Sequence, residues 1–180
     1  MPLIALVVVI GVALGGGASL AAQDSLPGSM LWGFKIAVNE NVRGAVSFGD
    51  NAKAQWDIAA VQERFAEEQR LIGIMEQERV LVDDAAAARA QAALTANFDM
   101  HVQDAAQRIQ SLEAGNLAAG AADVASRLQT ALGQGASALA EANVRQSAGV
   151  QAVLAPFITD VRRELDAVSD LSARAASLAP

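Results

Sequence analysis

Residues 84–114 read DAAAARAQAALTANFDMHVQDAAQRIQSLEA, and their spacing decides the fold class. After an alanine-rich start, Leu94, Phe98, Val102, Ala105, Ile109 and Leu112 recur at intervals of three and four. That period gathers them on one stripe of an α-helix, which turns once every 3.6 residues. The stretch has no glycine or proline, and alanine, glutamine and arginine are strong helix formers. The spacing predicts a helix from about Asp84 to Ala114, about 45 Å long at about 1.5 Å per residue. Asp83 and Asp84 suit its positively polarised start. Gly115-Asn116 reads as a stop followed by a cap.

The same period extends on both sides. A helix is expected from about Asn51 to about Gln77, with the stripe Ala54, Ile58, Val61, Phe65, Ile72 and Met75. Glu68 stands where that stripe calls for an apolar residue. With Arg64 four residues earlier, it reads as a charge at the seam's edge, its stem packed and its head in water, with a buried carboxylate of tuned pKa as the alternative. Before it, Leu31, Phe34, Val38, Val42 and Ala45 mark a helix that Gly49 stops, and Asp50 is a natural cap for the next. Beyond Asn116, Val124, Leu128, Leu132 and Leu139 precede Val150, Leu154, Phe157, Val161, Leu165, Val168, Leu171 and Leu178. The stripe weakens around Ser147 and Gly149, so two helices with a break or bend are expected there. Pro156 then falls in the first turns of the last helix, where its missing N–H costs least. Gly133-Gln134-Gly135 is either a flexible point or a close-packing point.

Composition agrees with an all-α chain. Aromatic residues make up only 4%, and tyrosine and cysteine are absent. The net charge is −7 and the pI about 4.6, and no basic cluster exceeds Arg162-Arg163. Binding to a nucleic-acid backbone is therefore disfavoured. Lack of cysteine removes disulfides, thiolate metal sites and cysteine nucleophiles together.

Leu3 to Ala22, LIALVVVIGVALGGGASLAA, carries no charge and has the length of one bilayer crossing. Two fates are open. Ser19-Leu20-Ala21 fits the small-x-small pattern of a cleaved signal peptide, and the apolar length fits a retained anchor. The division expected is 1–23 as signal peptide or anchor and 24–180 as an extracytoplasmic helical domain. Its predicted fold is an antiparallel bundle of four to five helices.

Ser25-Leu26-Pro27-Gly28, followed by Leu31, Trp32 and Lys35, resembles the opening signature of a bacterial family known as domain of unknown function 5667. Members resemble Ser-Leu-Pro-Gly-Asp-x-Leu-Tyr-Pro-x-Lys just after a membrane segment. This chain departs at Ser29, Trp32 and Gly33. Arg64 with Glu67 is a weaker likeness, to an Ala-x-x-Arg-x-x-Glu pattern in the second helix. The resemblance implies a membrane-proximal, extracytoplasmic helical domain and no activity. Trp32 is expected to pack into the bundle, with the headgroup level of the membrane as the alternative.

By residue type, the sequence holds no catalytic constellation. The single histidine, His101, has Asn97 and Asp104 on its own helical face and reads as a surface histidine near acids. One imidazole is too few for a triad with ordinary partners or for a four-ligand zinc site. No phosphate-cradling loop or dinucleotide fingerprint occurs. Glu63, Glu67 and Glu68, interleaved with Arg64 and Arg70, read as a solvated, ion-paired face. The expectation is a non-enzymatic protein without catalytic, cofactor or metal residues. It is exported, is membrane-associated through Leu3–Ala22 if that run is uncleaved, and serves as an interaction or scaffold module. Its partner is a protein or a second copy, and not nucleic acid. A ligand- or metal-responsive sensor domain is the alternative.

Overall fold

The computed structural model describes residues 25–27, 32, 35–36, 47–77 and 85–179. Among these, the chain is all-helical and forms a four-helix bundle: α1 (Asp50–Gln77), α2 (Ala85–Ala114), α3 (Ala118–Val144) and α4 (Ala148–Leu178). The expected helix from Leu31 and the run Leu3–Ala22 lie outside the described residues, apart from the few positions named.

The ends follow local chemistry. Gly49, at φ 80°, offers its carbonyl to Lys53 N–H at 3.1 Å, so Gly49 opens α1. Asp50 is the first helical residue rather than the cap, with its carboxylate in the first turn. At the end of α2, Asn116 adopts φ 58°, the left-handed position that closes a helix. Leu117 N–H reaches Leu112 O at 2.9 Å, and Asn116 N–H reaches Glu113 O at 3.1 Å. Asn116 is thus the stop, not the following cap; α3 begins after Leu117 without a side-chain cap. Ser147 caps α4 by accepting from Val150 N–H. Pro156 is the ninth residue of α4, in its third turn, past the N-terminal turn in which a missing N–H costs nothing. Its missing N–H leaves the Ala152 carbonyl without the usual helical donor, on an exposed stretch that water reaches.

Two antiparallel hairpins, α1–α2 and α3–α4, stack to make the bundle. Glu68 meeting Gln91 and Asp57 meeting His101 fix the first hairpin; Gln129 donating to Ser169 at 3.1 Å fixes the second. Between hairpins, α1 runs along α3 and α2 along α4, while α1 and α4 barely touch. The centre is a cluster of three rings. Phe98 meets Phe157 at 5.1 Å between centroids and Phe65 at 5.4 Å, and Phe65 meets Phe157 at 6.1 Å. Edge and tilted contacts of this kind add about 0.5–1.5 kcal/mol each beyond area burial.

Gly135 resolves the Gly133–Gly135 question in favour of close packing. A Cβ built on Gly135 would lie 2.5 Å from Phe65 Cδ2 and nearer still to two other ring atoms, whereas one on Gly133 meets nothing within 4 Å. The missing side chain lets α3 sit against the Phe65 ring.

Candidate functional site

The two hairpins bury different chemistry. In α3 and α4 the buried residues are apolar, with two glycines. Every described polar or charged residue that is buried belongs to the other half: Lys35, Asp57, Arg64, Glu67, Glu68, Gln91, Asn97 and His101. Along α1 the buried positions of the seam step 54, 57, 58, 61, 64, 65, 68, 71, 72 and 75, with Ala60 and Glu67 buried beside them. Asp57, Arg64 and Glu68 therefore occupy seam positions, and Glu67 lies beside them on the face toward Trp32 and Lys35.

At the centre of the first cluster, Glu67 is wholly buried, hydrogen-bonded from two directions and ion-paired from a third. Trp32 Nε1 donates to its Oε2 at 3.1 Å, Arg64 approaches the same oxygen at 3.0 Å, and Lys35 Nζ pairs with Oε1. Lys35 also bonds Glu63 at 2.9 Å, and Arg70 approaches Glu63 at 3.4 Å. The Arg64 guanidinium carbon lies 5.9 Å from the Trp32 ring centre, in cation–π range. Partial burial works against the Glu63 carboxylate, but Lys35, with Arg64 and Arg70, outweighs it and holds that carboxyl below its ordinary value. The signature residues Trp32 and Lys35 are thus fastened to the middle of α1.

The second cluster spans the hairpin nearer the start of α1. Asp57 takes His101 Nδ1 on one oxygen at 3.1 Å and accepts from Arg108 Nε on the other at 2.8 Å. Trp56 meets the His101 ring edge-on at 6.3 Å. Level with the first cluster and on the connected side of the hairpin, Gln91 Nε2 donates to Glu68 Oε2 at 2.9 Å. Burial pushes the Glu68 carboxyl up to about 7, with the Gln91 bond pulling the other way.

Several expectations are corrected. Glu68 is not a snorkelling edge charge; it is fully buried, because its partner comes from α2. Glu67 and Glu68 are not on a solvated face, although Glu63 and Arg70 are partly exposed. His101 is buried and turned to Asp57 across the hairpin, not a surface histidine beside Asp104. Of the signature, Pro27 and Trp32 are buried, Ser25 and Leu26 partly so, and Lys35 is 5% exposed. Gly28 and Leu31 lie outside the described residues. Asp57, Gln91 and Arg108 were missed, although Asp57 falls three residues after Ala54 and seven before Arg64, on the seam period itself.

The groups gathered here support ion pairing and proton holding. Among the described residues, no set of three His, Cys, Asp or Glu side chains converges as a metal site, and no helix is long and apolar enough to cross a membrane. Two shallow surface grooves accompany the core. One, of about 300 Å³, lies between α1 and α3 at Gln55, Gln62 and Arg127; the other, of about 270 Å³, lies between α2 and α4 at Gln103, Glu164 and Arg174. Compared with family models, curated proteins and solved structures, the chain finds no match.

Proposed function

We propose that this chain is a non-catalytic helical interaction or scaffold module held outside the cytoplasmic membrane, akin to the family its Ser25–Lys35 signature resembles. The observation that carries the reading is the fastening of Trp32 and Lys35 to Glu67 and Arg64. A segment that follows an apolar run and is bolted by buried charges to a rigid bundle fits a part that presents a surface at fixed attachment. A chain built to turn over a substrate would instead set its buried polar groups around an open cleft. Among the described residues they join protein to protein, and the two grooves lined by described residues lie away from them.

The test is self-association or stable complex formation by the full chain. Light scattering of the purified chain, with cross-linking in the cell envelope, should give an oligomer or a discrete complex. A lone monomer with no cross-linked species overturns the reading. Membrane fractionation with sequencing of the mature N-terminus separates the two fates of Leu3–Ala22, since a start at Ala22 or Gln23 excludes a retained anchor. A sensor is the second reading, favoured by one observation: Glu68 is a buried carboxyl poised near neutrality. Thermal shifts across divalent metals and small metabolites test ligand sensing, because a ligand that binds only the folded state raises its stability.

A further inference from the structure

Glu68 and Gln91 are joined by one hydrogen bond and each keeps one oxygen unused. Gln91 Nε2 donates to Glu68 Oε2, while Glu68 Oε1 and Gln91 Oε1 are buried with no hydrogen-bond donor. Buried acceptors without donors are costly, and two on bonded neighbours are rarely retained without a reason. A single proton removes both defects. On Glu68 Oε1 it makes the carboxyl an O–H donor, and the oxygen of the amide already bonded to Glu68 is an acceptor that lacks one. The result is an acid–amide pair closed by two bonds, N–H to Oε2 and O–H to the Gln91 oxygen.

The surroundings favour the neutral form. On α1, Arg64 and Glu67 are ion-paired at 3.0 Å, and Lys35 is engaged with Glu63 and Glu67, so the nearby positive charge is already matched by carboxylates. On α2, Arg89 is exposed and Gln91 itself is uncharged. The Phe65–Gly135 contact brings Leu139 of α3 to the level of Glu68, and the Phe98–Phe157 contact brings Val150 of α4 to the level of Gln91. Neither is titratable.

We propose that Glu68 and Gln91 form a proton-operated latch between α1 and α2, closed as a two-bond pair when Glu68 is protonated and loosened when it ionises. The pair sits nine residues before the end of α1 and six after the start of α2, so it controls the end of the hairpin where the two helices are connected. Burial raises the carboxyl from 4.5 to about 7, which puts the change of state near neutral pH. Because the folded state holds the proton more tightly, the latch's stabilisation is whole below pH 4.5 and is lost as pH rises through about 7. This inference is independent of the scaffold reading, which self-association tests.

The experiment uses the full chain, with carboxyl carbons labelled for NMR and amide exchange followed by mass spectrometry. Glu68 Cδ should titrate near neutrality, apart from the exposed carboxylates. Exchange in residues 68–77 and 85–91, corrected for intrinsic chemistry, should rise at least tenfold between pH 5.5 and 8.5. Glu68→Gln should flatten that rise, since an amide in place of the acid supplies its donor at every pH. Gln91→Met, which removes both bonds of the closed pair, should lower the protection of residues 68–77 and 85–91 at pH 5.5 toward its level at pH 8.5. A wild-type midpoint in the ordinary carboxylate range overturns the proposal whether or not the variants fold. So does a pH-dependent rise that survives in Glu68→Gln.

Discussion

Replacing Gly135 by alanine tests whether the bundle's core is set by the approach of α3 to Phe65. Two opposing effects can be weighed. Alanine in a helix interior is favoured over glycine by about 1 kcal/mol. Against that, the added Cβ would lie 2.5 Å from Phe65 Cδ2 and closer to Cε2 and Cζ, where ordinary carbon contacts need about 3.5–4 Å. The ring must retreat by roughly 1 Å or more, and Phe98 and Phe157 stand behind it at 5.4 and 6.1 Å. Overpacking costs about 1–3 kcal/mol, and this site belongs at the upper end, so the net loss is about 2 kcal/mol. Urea unfolding followed by far-ultraviolet circular dichroism measures it, as a lower midpoint with an unchanged slope. Gly133→Ala, with open space around its Cβ, is the control and should gain up to about 1 kcal/mol. Adding Phe65→Leu to Gly135→Ala should recover part of the loss, as a favourable coupling. If Gly135→Ala is as stable as wild type, the close approach is not a constraint and the reasoning fails.

Glu67→Ala should cost about 3–5 kcal/mol in the same unfolding assay, because it strands Lys35 and Arg64 in a buried place without their shared carboxylate. Asp57→Asn should destabilise by about 1–3 kcal/mol by weakening the bonds to His101 and Arg108; a loss below about 0.5 kcal/mol refutes a structural role for that cluster. Asn116→Ala should cost about 1 kcal/mol through its φ of 58°, whereas Asn116→Gly should be neutral or slightly stabilising, and equal losses would count against the left-handed stop. In a Trp56→Phe background, lipid vesicles should leave Trp32 emission unchanged, since its indole is buried and bonded to Glu67; a blue shift would mean that Trp32 leaves α1 for the membrane.

Helix positions were legible because their signal is local. The stripes around Phe65 and Phe98 and the break at Ser147 each lie within a few turns of sequence, and the structure puts α1, α2 and the α3–α4 break within about a residue of those readings. The buried charges were not legible for a physical reason. Asp57, Arg64 and Glu68 are surface residues by type, and burial becomes tolerable only when partners arrive from far along the chain. Those partners are His101 and Arg108 for Asp57, Gln91 for Glu68, and Trp32 and Lys35 for Glu67. The period did hold a trace of them, since Asp57, Arg64 and Glu68 follow the same three-and-four spacing as Ile58, Val61 and Phe65. A charge that keeps step with an apolar stripe is better read as a buried partner awaiting its mate than as an interruption.

The polar seam carries two carboxyls displaced in opposite directions, and this predicts a two-sided pH response. Glu63, drawn below its ordinary value by Lys35 despite its partial burial, stabilises the fold above pH 4.5, and that contribution is lost as pH falls through its lowered value. Glu68, pushed up to about 7, behaves in the reverse sense. Relative to pH 4.5, ionising it in the folded chain removes roughly 3–4 kcal/mol, since burial raises it from 4.5 to about 7 and each unit is worth about 1.4 kcal/mol. The attachment of Lys35 to α1 therefore weakens in acid, while the α1–α2 latch weakens above neutrality. The two limbs have separate reporters: Trp32 emission in the Trp56→Phe background follows the attachment, and amide exchange in residues 68–77 follows the latch. Glu68→Gln should erase the alkaline limb and leave the acid limb in place, and Glu63→Gln should do the converse. If either substitution removes both limbs together, the seam titrates as one unit, and its division into an ionic fastening and a protonated latch is wrong.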